Sequence, residues 1–181
     1  MSTLLEKIKQ LSAELTPETL ANRHHIHANP ELSYQEFQTQ AYVLQQLEQM
    51  GIQAKKIANT GLIAEIKGKN PDKKVVALRA DMDALPIQET NRFAHRSLHD
   101  GLMHACGHDG HTTMLLGAAR YLAATRQFDG TLTLVMDGAT GPAWKATDAW
   151  GPTFSPDGRH LAGCAVGDGM IPLWKLRREW A

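Results

Sequence analysis

Cysteine is nearly absent from this 181-residue chain. Only Cys106 and Cys164 occur, too few for a disulfide framework, so any core must be held by packing. Charge of one sign is missing too. Lys+Arg and Asp+Glu both total 19, and no basic face argues for nucleic acid or an anionic membrane as partner. No run reaches the roughly 18 apolar residues a membrane span requires. The N-terminus, broken by Glu6, Lys7 and Lys9, has no signal-peptide apolar region. The expectation is a soluble, cytoplasmic chain, and 181 residues suffice for one domain with a real core.

Histidine, by contrast, is plentiful. Five of nine fall between His95 and His111, and histidine is both the commonest metal ligand and the side chain that titrates near neutrality.

Leu4, Ile8, Leu11 and Leu15 recur at helical spacing. Thr16-Pro17-Glu18 reads as a cap, an N1 proline and a first-turn acid, which restarts a helix over 17–27. Asn29-Pro30 ends it. Ser33 and Glu36 are spaced as a capping box for a third helix. Phe37, Leu44 and Leu47 line one face of that helix, and Gly51 suits its C-terminal cap. Strand-like runs follow at 61–66 and 75–80. The second is nearly all apolar, as for a strand covered on both faces. Residues 87–104 are polar and irregular. A helix is expected from about His111, with Met114, Leu115, Ala118, Ala119 and Leu122 buried, then a strand over 131–135. This order predicts an α/β fold: a mixed or parallel sheet with flanking helices. Residues 137–181 hold seven Gly, four Pro and all four Trp, so the expected division is 1–136 and a β- and turn-rich tail, 137–181.

Gly101, Gly107 and Gly110 surround His104, Cys106, His108, Asp109 and His111. Cys106 and His108 are two apart, so in an extended segment they point the same way. Thiolate and imidazole suit Zn²⁺ and similar ions, and Asp109 could orient an imidazole. The alternative is a polar loop. Asp81 and Asp83 follow the 75–80 strand at its C-terminal end, where ligands bind in open α/β sheets. They read equally as a solvated turn or as acids that hold a ligand histidine or complete a two-metal clamp. His24, His25 and His27, near a helix end, read as structural.

Four stretches in order carry a resemblance: His27-Ala28-Asn29-Pro30-Glu31-Leu32; Glu36 and Thr39; Leu78 to Ile87, including Asp81-Met82-Asp83-Ala84-Leu85-Pro86; and His104-Ala105-Cys106-Gly107-His108-Asp109-Gly110-His111-Thr112. Together they resemble the M20 metallopeptidase family, in the branch of N-acyl-amino-acid amidohydrolases that includes hippurate and auxin-conjugate hydrolases. The match spans about residues 4–135. It implies a partial M20-type catalytic domain that cleaves the amide of a small N-acyl amino acid with divalent ions, Zn or Mn. Cys106 and His108 fall on metal-ligand positions, and Asp83 on the acid that assists catalysis. Such enzymes continue the 131–135 strand into a segment reading roughly Gln-Pro-Ala-Glu-Glu, which holds the general base and a further ligand. Here Thr140 and Gly141 stand at those two positions. Later ligand histidines and a lid domain are also expected to be missing, leaving as few as one ion and impaired catalysis. Two other readings stay open: a non-catalytic metal-binding or interaction protein (a fusion or frame-shifted product), or a site completed by another chain. The tail, at Phe154–Ala162 and Asp168–Trp174, resembles one WD40-type propeller blade. A single blade cannot close a ring, so the tail is expected instead to cover a sheet edge or to extend freely.

Overall fold

The computed structural model describes residues 4–138 and, as backbone only, 153–154, 160–162 and 173–175. Its chain forms two units, Met1–Gly138 and Ala139–Ala181. The first contains helices α1 (Leu4–Ala28), α2 (Phe37–Gln49) and α3 (His108–Thr125), and strands β1 (Ala54–Ile57), β2 (Gly61–Lys67), β3 (Val75–Asp81) and β4 (Thr131–Asp137). The sheet order is β1-β2-β4-β3. β1 and β4 both pair antiparallel with β2, whereas β3 and β4 are parallel. The sheet is therefore mixed and flanked by helices, as expected. In the second unit β5 (Thr153–Phe154), β6 (His160–Ala162) and β7 (Leu173–Lys175) form an antiparallel sheet. Most residues behind the propeller-blade resemblance lie outside those described, and three short antiparallel strands do not single out a blade.

Several local expectations need revision. Thr16 does not restart a helix: α1 runs unbroken with Pro17 inside it. The Thr16 hydroxyl instead donates to the Ser12 carbonyl one turn back, at 2.6 Å. Ser33 and Glu36 do not form a capping box. The N-cap Glu36 makes no side-chain cap bond. Glu31 takes that part, its carboxylate accepting from the amides of Gln38 (3.1 Å) and Thr39 (2.8 Å), two of the donors a helix start leaves unpaired. At the other end Gly51 has φ +72. Its amide bonds to Glu48 O and that of Ile52 to Leu47 O, both at 2.9 Å, which is the paired closure of a left-handed C-terminal cap.

The core joins Val43 and Leu47 of α2, Leu62, Ala64 and Ile66 of β2, Leu115, Leu116 and Ala119 of α3, and Leu132, Leu134 and Met136 of β4. Phe37 and Met114, expected inside, are exposed. The strand covered on both faces is β4, with six consecutive buried residues, not β3. Among the described residues β3 is an edge, and it leaves Val75, Val76 and Leu78 exposed. An apolar run marks burial only when something packs on it, and a strand's place in the sheet order is not encoded in its own composition.

Candidate metal centre

The parallel pair β3–β4, crossed over by α3, decides where the chemistry-bearing residues meet. Both strands end at one edge, with Asp81 beside Asp137 in register. α3 returns against them, so its first turn starts over those strand ends, the usual ligand position in such sheets. Gly107, at φ +97, turns the chain into α3 in a conformation that glycine adopts without steric cost.

His108 is the first residue of α3 and is buried. Its Nδ1 lies 2.8 Å from Asp83 Oδ1 and 3.0 Å from the Asp83 carbonyl. Carbonyl oxygen can only accept, so Nδ1 carries the proton, and in its neutral form His108 presents the lone pair of Nε2 outward. Orientation of this kind, by carboxylate and carbonyl, is typical of metal-binding imidazoles. Burial by itself would lower the His108 pKa, but the Asp83 hydrogen bond and the Asp81 and Asp83 charges outweigh it and raise it. Asp83 is itself held by the Ser33 hydroxyl at 2.6 Å.

His108 Nε2 points toward Asp81, 3.5 Å from Oδ2. On the other side of that carboxylate, His111 Nδ1 lies 2.6 Å from Oδ1. Asp81, His108 and His111 each offer a ligand atom, and the three lie within 4.8 Å of one another. Arg79 pairs with Asp137 at 2.9 Å and with Asp81 at 3.4 Å. Asp137 is half-buried, and the desolvation raises its pKa. Arg79 opposes that shift, and Asp81 and Asp83 add to it. Two carboxylates thus share one guanidinium at this end of the sheet.

Cys106 is exposed and stands outside this three-residue group. The sequence reading paired Cys106 with His108 because it took 106–108 as extended and started the helix at His111. The helix starts three residues earlier. Positions 108 and 111 then share one helical face, which brings the His111 ring beside that of His108. A helix start placed at Gly107 would have disclosed that pairing.

Asp109 does not orient a ligand imidazole. It is fully buried and bonds His27 Nδ1 at 2.7 Å and Arg23 at 3.2 Å. The other ring nitrogen of His27 lies 3.2 Å from Glu89. His27 therefore ties α1 to α3 and to the 87–104 segment, while His25 stacks on Tyr42 and His24 on His95. His104 is buried, and neither ring nitrogen has a hydrogen-bond partner among the described residues. Burial pushes its pKa down to about 4, so it is neutral at pH 7. Glu36, a capping candidate and part of the resemblance, is also a buried acid, which neither signal discloses. It is wholly enclosed, Thr60 donates to Oε2 at 2.6 Å, and burial raises its pKa.

Residues 77–139 match the model of peptidase family M20/M25/M40. The N-terminal part of this chain is of the M20 family. This M20 segment is 48% identical over 122 residues to the N-acyl-L-amino acid amidohydrolase of Geobacillus stearothermophilus, covering 67% of the present chain and 33% of that protein. It is 50% identical over 113 residues to the hippurate hydrolase of Campylobacter jejuni, covering 62% and 29%. The crystal structure of a Bacillus subtilis dinuclear metal binding peptidase of the M20 family superposes with a TM-score of 0.66 at 39% identity, over 71% of this chain and 36% of that one. The chain thus spans about a third of the length of the relatives it matches. Among the described residues no helix is long and apolar enough to cross a membrane.

Proposed function

We propose that the M20 segment carries one side of a metal-dependent amidohydrolase site for small N-acyl amino acids. The observation that supports it best is the Asp83–His108 pair at the carboxyl ends of β3 and β4. Two acceptors from one residue fix the tautomer of a buried imidazole and aim its free nitrogen at further donors. The donor set of imidazole, carboxylate and nearby thiol fits Zn²⁺ or Mn²⁺. On the resemblance, His108 and Cys106 would hold such an ion and Asp83 would assist it. A divalent ion there supplies Lewis-acid chemistry, lowering the pKa of water and polarising a carbonyl.

The chain's own residues contribute positioning. Ser33 fixes Asp83, Asp83 fixes His108, and Arg79 keeps Asp137 and Asp81 facing the same end of the sheet. Thr140 and Gly141 occupy the positions where the resemblance calls for two glutamates, the general base and a ligand. Threonine is not basic near neutral pH and glycine has no side chain, so turnover by this chain is slow. A non-catalytic cation-binding role is the second reading, and those same two residues favour it.

The test is hydrolysis of N-acetyl and N-benzoyl amino acids by the full chain with added Mn²⁺ or Zn²⁺. Weak turnover that disappears in both His108→Ala and Asp83→Asn supports the hydrolase reading. Metal binding with no turnover favours the second reading. Robust turnover, comparable to a typical kcat of about 10 s⁻¹, would sink the claim of impairment.

A further inference from the structure

We propose that two copies of this chain pair through the edge of β3, strand against antiparallel strand, about a two-fold axis at Ala77. The inference is independent of whether the chain binds a metal or hydrolyses anything.

The first observation is that the two edges of the sheet are built differently. β1, at one end of the strand order, is four residues long and carries Lys55 and Lys56 exposed in its middle. Short length and lysines keep an edge from recruiting another strand. β3, at the other end among the described residues, is seven residues long. It has no proline, and its register with β4 runs from Val75 to Asp81 without a bulge. Its one cation, Arg79, is engaged by Asp137 and Asp81. About half of the backbone donors and acceptors of such a strand face away from its neighbour. One open edge and one guarded edge give a closed pair, whereas two open edges would give a filament.

The second is apolar surface. Val75, Val76 and Leu78 are 57%, 46% and 38% exposed. They occupy both faces of the strand, so a strand laid alongside covers all three.

The third is register. A closed pair of identical edge strands is antiparallel, and residues directly opposite point to the same face. Opposite positions therefore differ by an even number, and the axis passes through one residue. An axis at Val76 would set Lys73 against Arg79, two like charges. An axis at Leu78 would set Val75 against Asp81, and one further along either way shortens the ladder. An axis at Ala77 places a small side chain at the centre and sets Val76 against Leu78 twice on one face. On the other face Val75 lies against the Arg79 stem. It also brings Lys73, whose present partner Asp129 is at the surface, to the end of the second strand where Asp81 stands. The seam is then complementary in charge as well as in shape.

The experiment is sedimentation equilibrium of the full chain across micromolar concentrations, with amide exchange of β3 followed in parallel. A monomer–dimer equilibrium is expected, and β3 amides should exchange more slowly as concentration rises. Val76→Lys alters an exposed position, so the fold is retained. It should weaken the dimer by at least about tenfold, because an apolar pair is lost twice and cations enter the seam. Ala77→Cys tests the register. Directly opposite residues have Cα atoms about 4.5–5.5 Å apart, within disulfide reach. Oxidation should therefore join two chains through position 77, beyond any cross-link the parent chain forms. Position 75 lies roughly 13 Å from its own copy in this register, four residues along a strand, so Val75→Cys should not be joined. A monomer at every concentration overturns the proposal. So does a monomer whose β3 amides are already protected, which would assign the edge to residues 139–181 of the same chain. A dimer that survives Val76→Lys and is not joined through Ala77→Cys lies on another surface and overturns it too, as does a mass that grows past two copies without limit.

Discussion

Replacing Gly138 with alanine tests how tightly the end of β4 closes over the buried acid Glu36. A Cβ at Gly138 would stand 1.9 Å from Glu36 Oε1, 2.8 Å from Cδ and 3.3 Å from Oε2. Contact between such atoms is comfortable at roughly 3.5 Å, so the carboxyl group must retreat by about 1.5 Å. Glu36 is fully buried and its Oε2 is held by Thr60. The backbone at Gly138 does not lie in the left-handed region, so alanine is tolerated conformationally and the cost is steric. Overpacking costs about 1–3 kcal/mol, and losing the Thr60 bond adds about 1 kcal/mol. Urea unfolding should therefore report a destabilisation of about 2–4 kcal/mol. The decisive comparison is the same change in a Glu36→Ala background, where space has been made. There the penalty should shrink by at least about 1 kcal/mol, a coupling of the size that touching residues show. A Gly138→Ala cost below about 0.5 kcal/mol, the level of an ordinary surface change, or an equal cost in both backgrounds, would refute the reasoning.

Further expectations concern the same framework. Burial raises the Glu36 pKa above its ordinary value of 4.5. Its stabilising contribution is therefore complete below that pH and is lost as pH rises through the raised folded value. Relative to Glu36→Gln, which cannot ionise, the parent chain should lose stability from pH 4.5 upward; parallel curves of urea midpoint against pH would count against this. His27→Ala removes the imidazole shared by two buried carboxylates, Asp109 and Glu89, which keep Arg23 and Asn91 as partners, and should cost about 1–3 kcal/mol. Hydrogen exchange should also quicken across residues 89–97, and unchanged exchange there would mean that His27 is not the tie. Leu116 is fully buried on α3, and Leu116→Ala should cost about 2–5 kcal/mol by cavity formation in chemical denaturation.

Much of this architecture is legible in the sequence because local signals suffice for it. Gly51 as a helix cap and the strand at 61–66 follow from residue type and spacing. What is not legible depends on distant partners. Glu31 displaced Ser33 as the cap of α2 because its carboxylate reaches two free amides, while Ser33 turned to Asp83, fifty positions on. The apolar run of β3 foretold a covered strand, yet the sheet order put β4 in the middle. At the site, the motifs named His108 and Asp83 correctly as neighbours. They did not disclose that the His111 ring stacks on His108, because that depends on where the helix begins.

The position of His108 and His111 in the opening turn of α3 has a thermodynamic consequence. Gly107 provides no side-chain cap, and helix ends open at lower free energy than the body of a fold. Any ion held there would report on the fraying of one turn. Mild warming or low denaturant should release it while β2, β4 and the rest of α3 stay folded, so that metal loss precedes unfolding. Conversely, a bound ion should delay opening of that turn by an amount set by its concentration relative to its dissociation constant, making the first turn of α3 the most ligand-sensitive segment of the chain in hydrogen exchange.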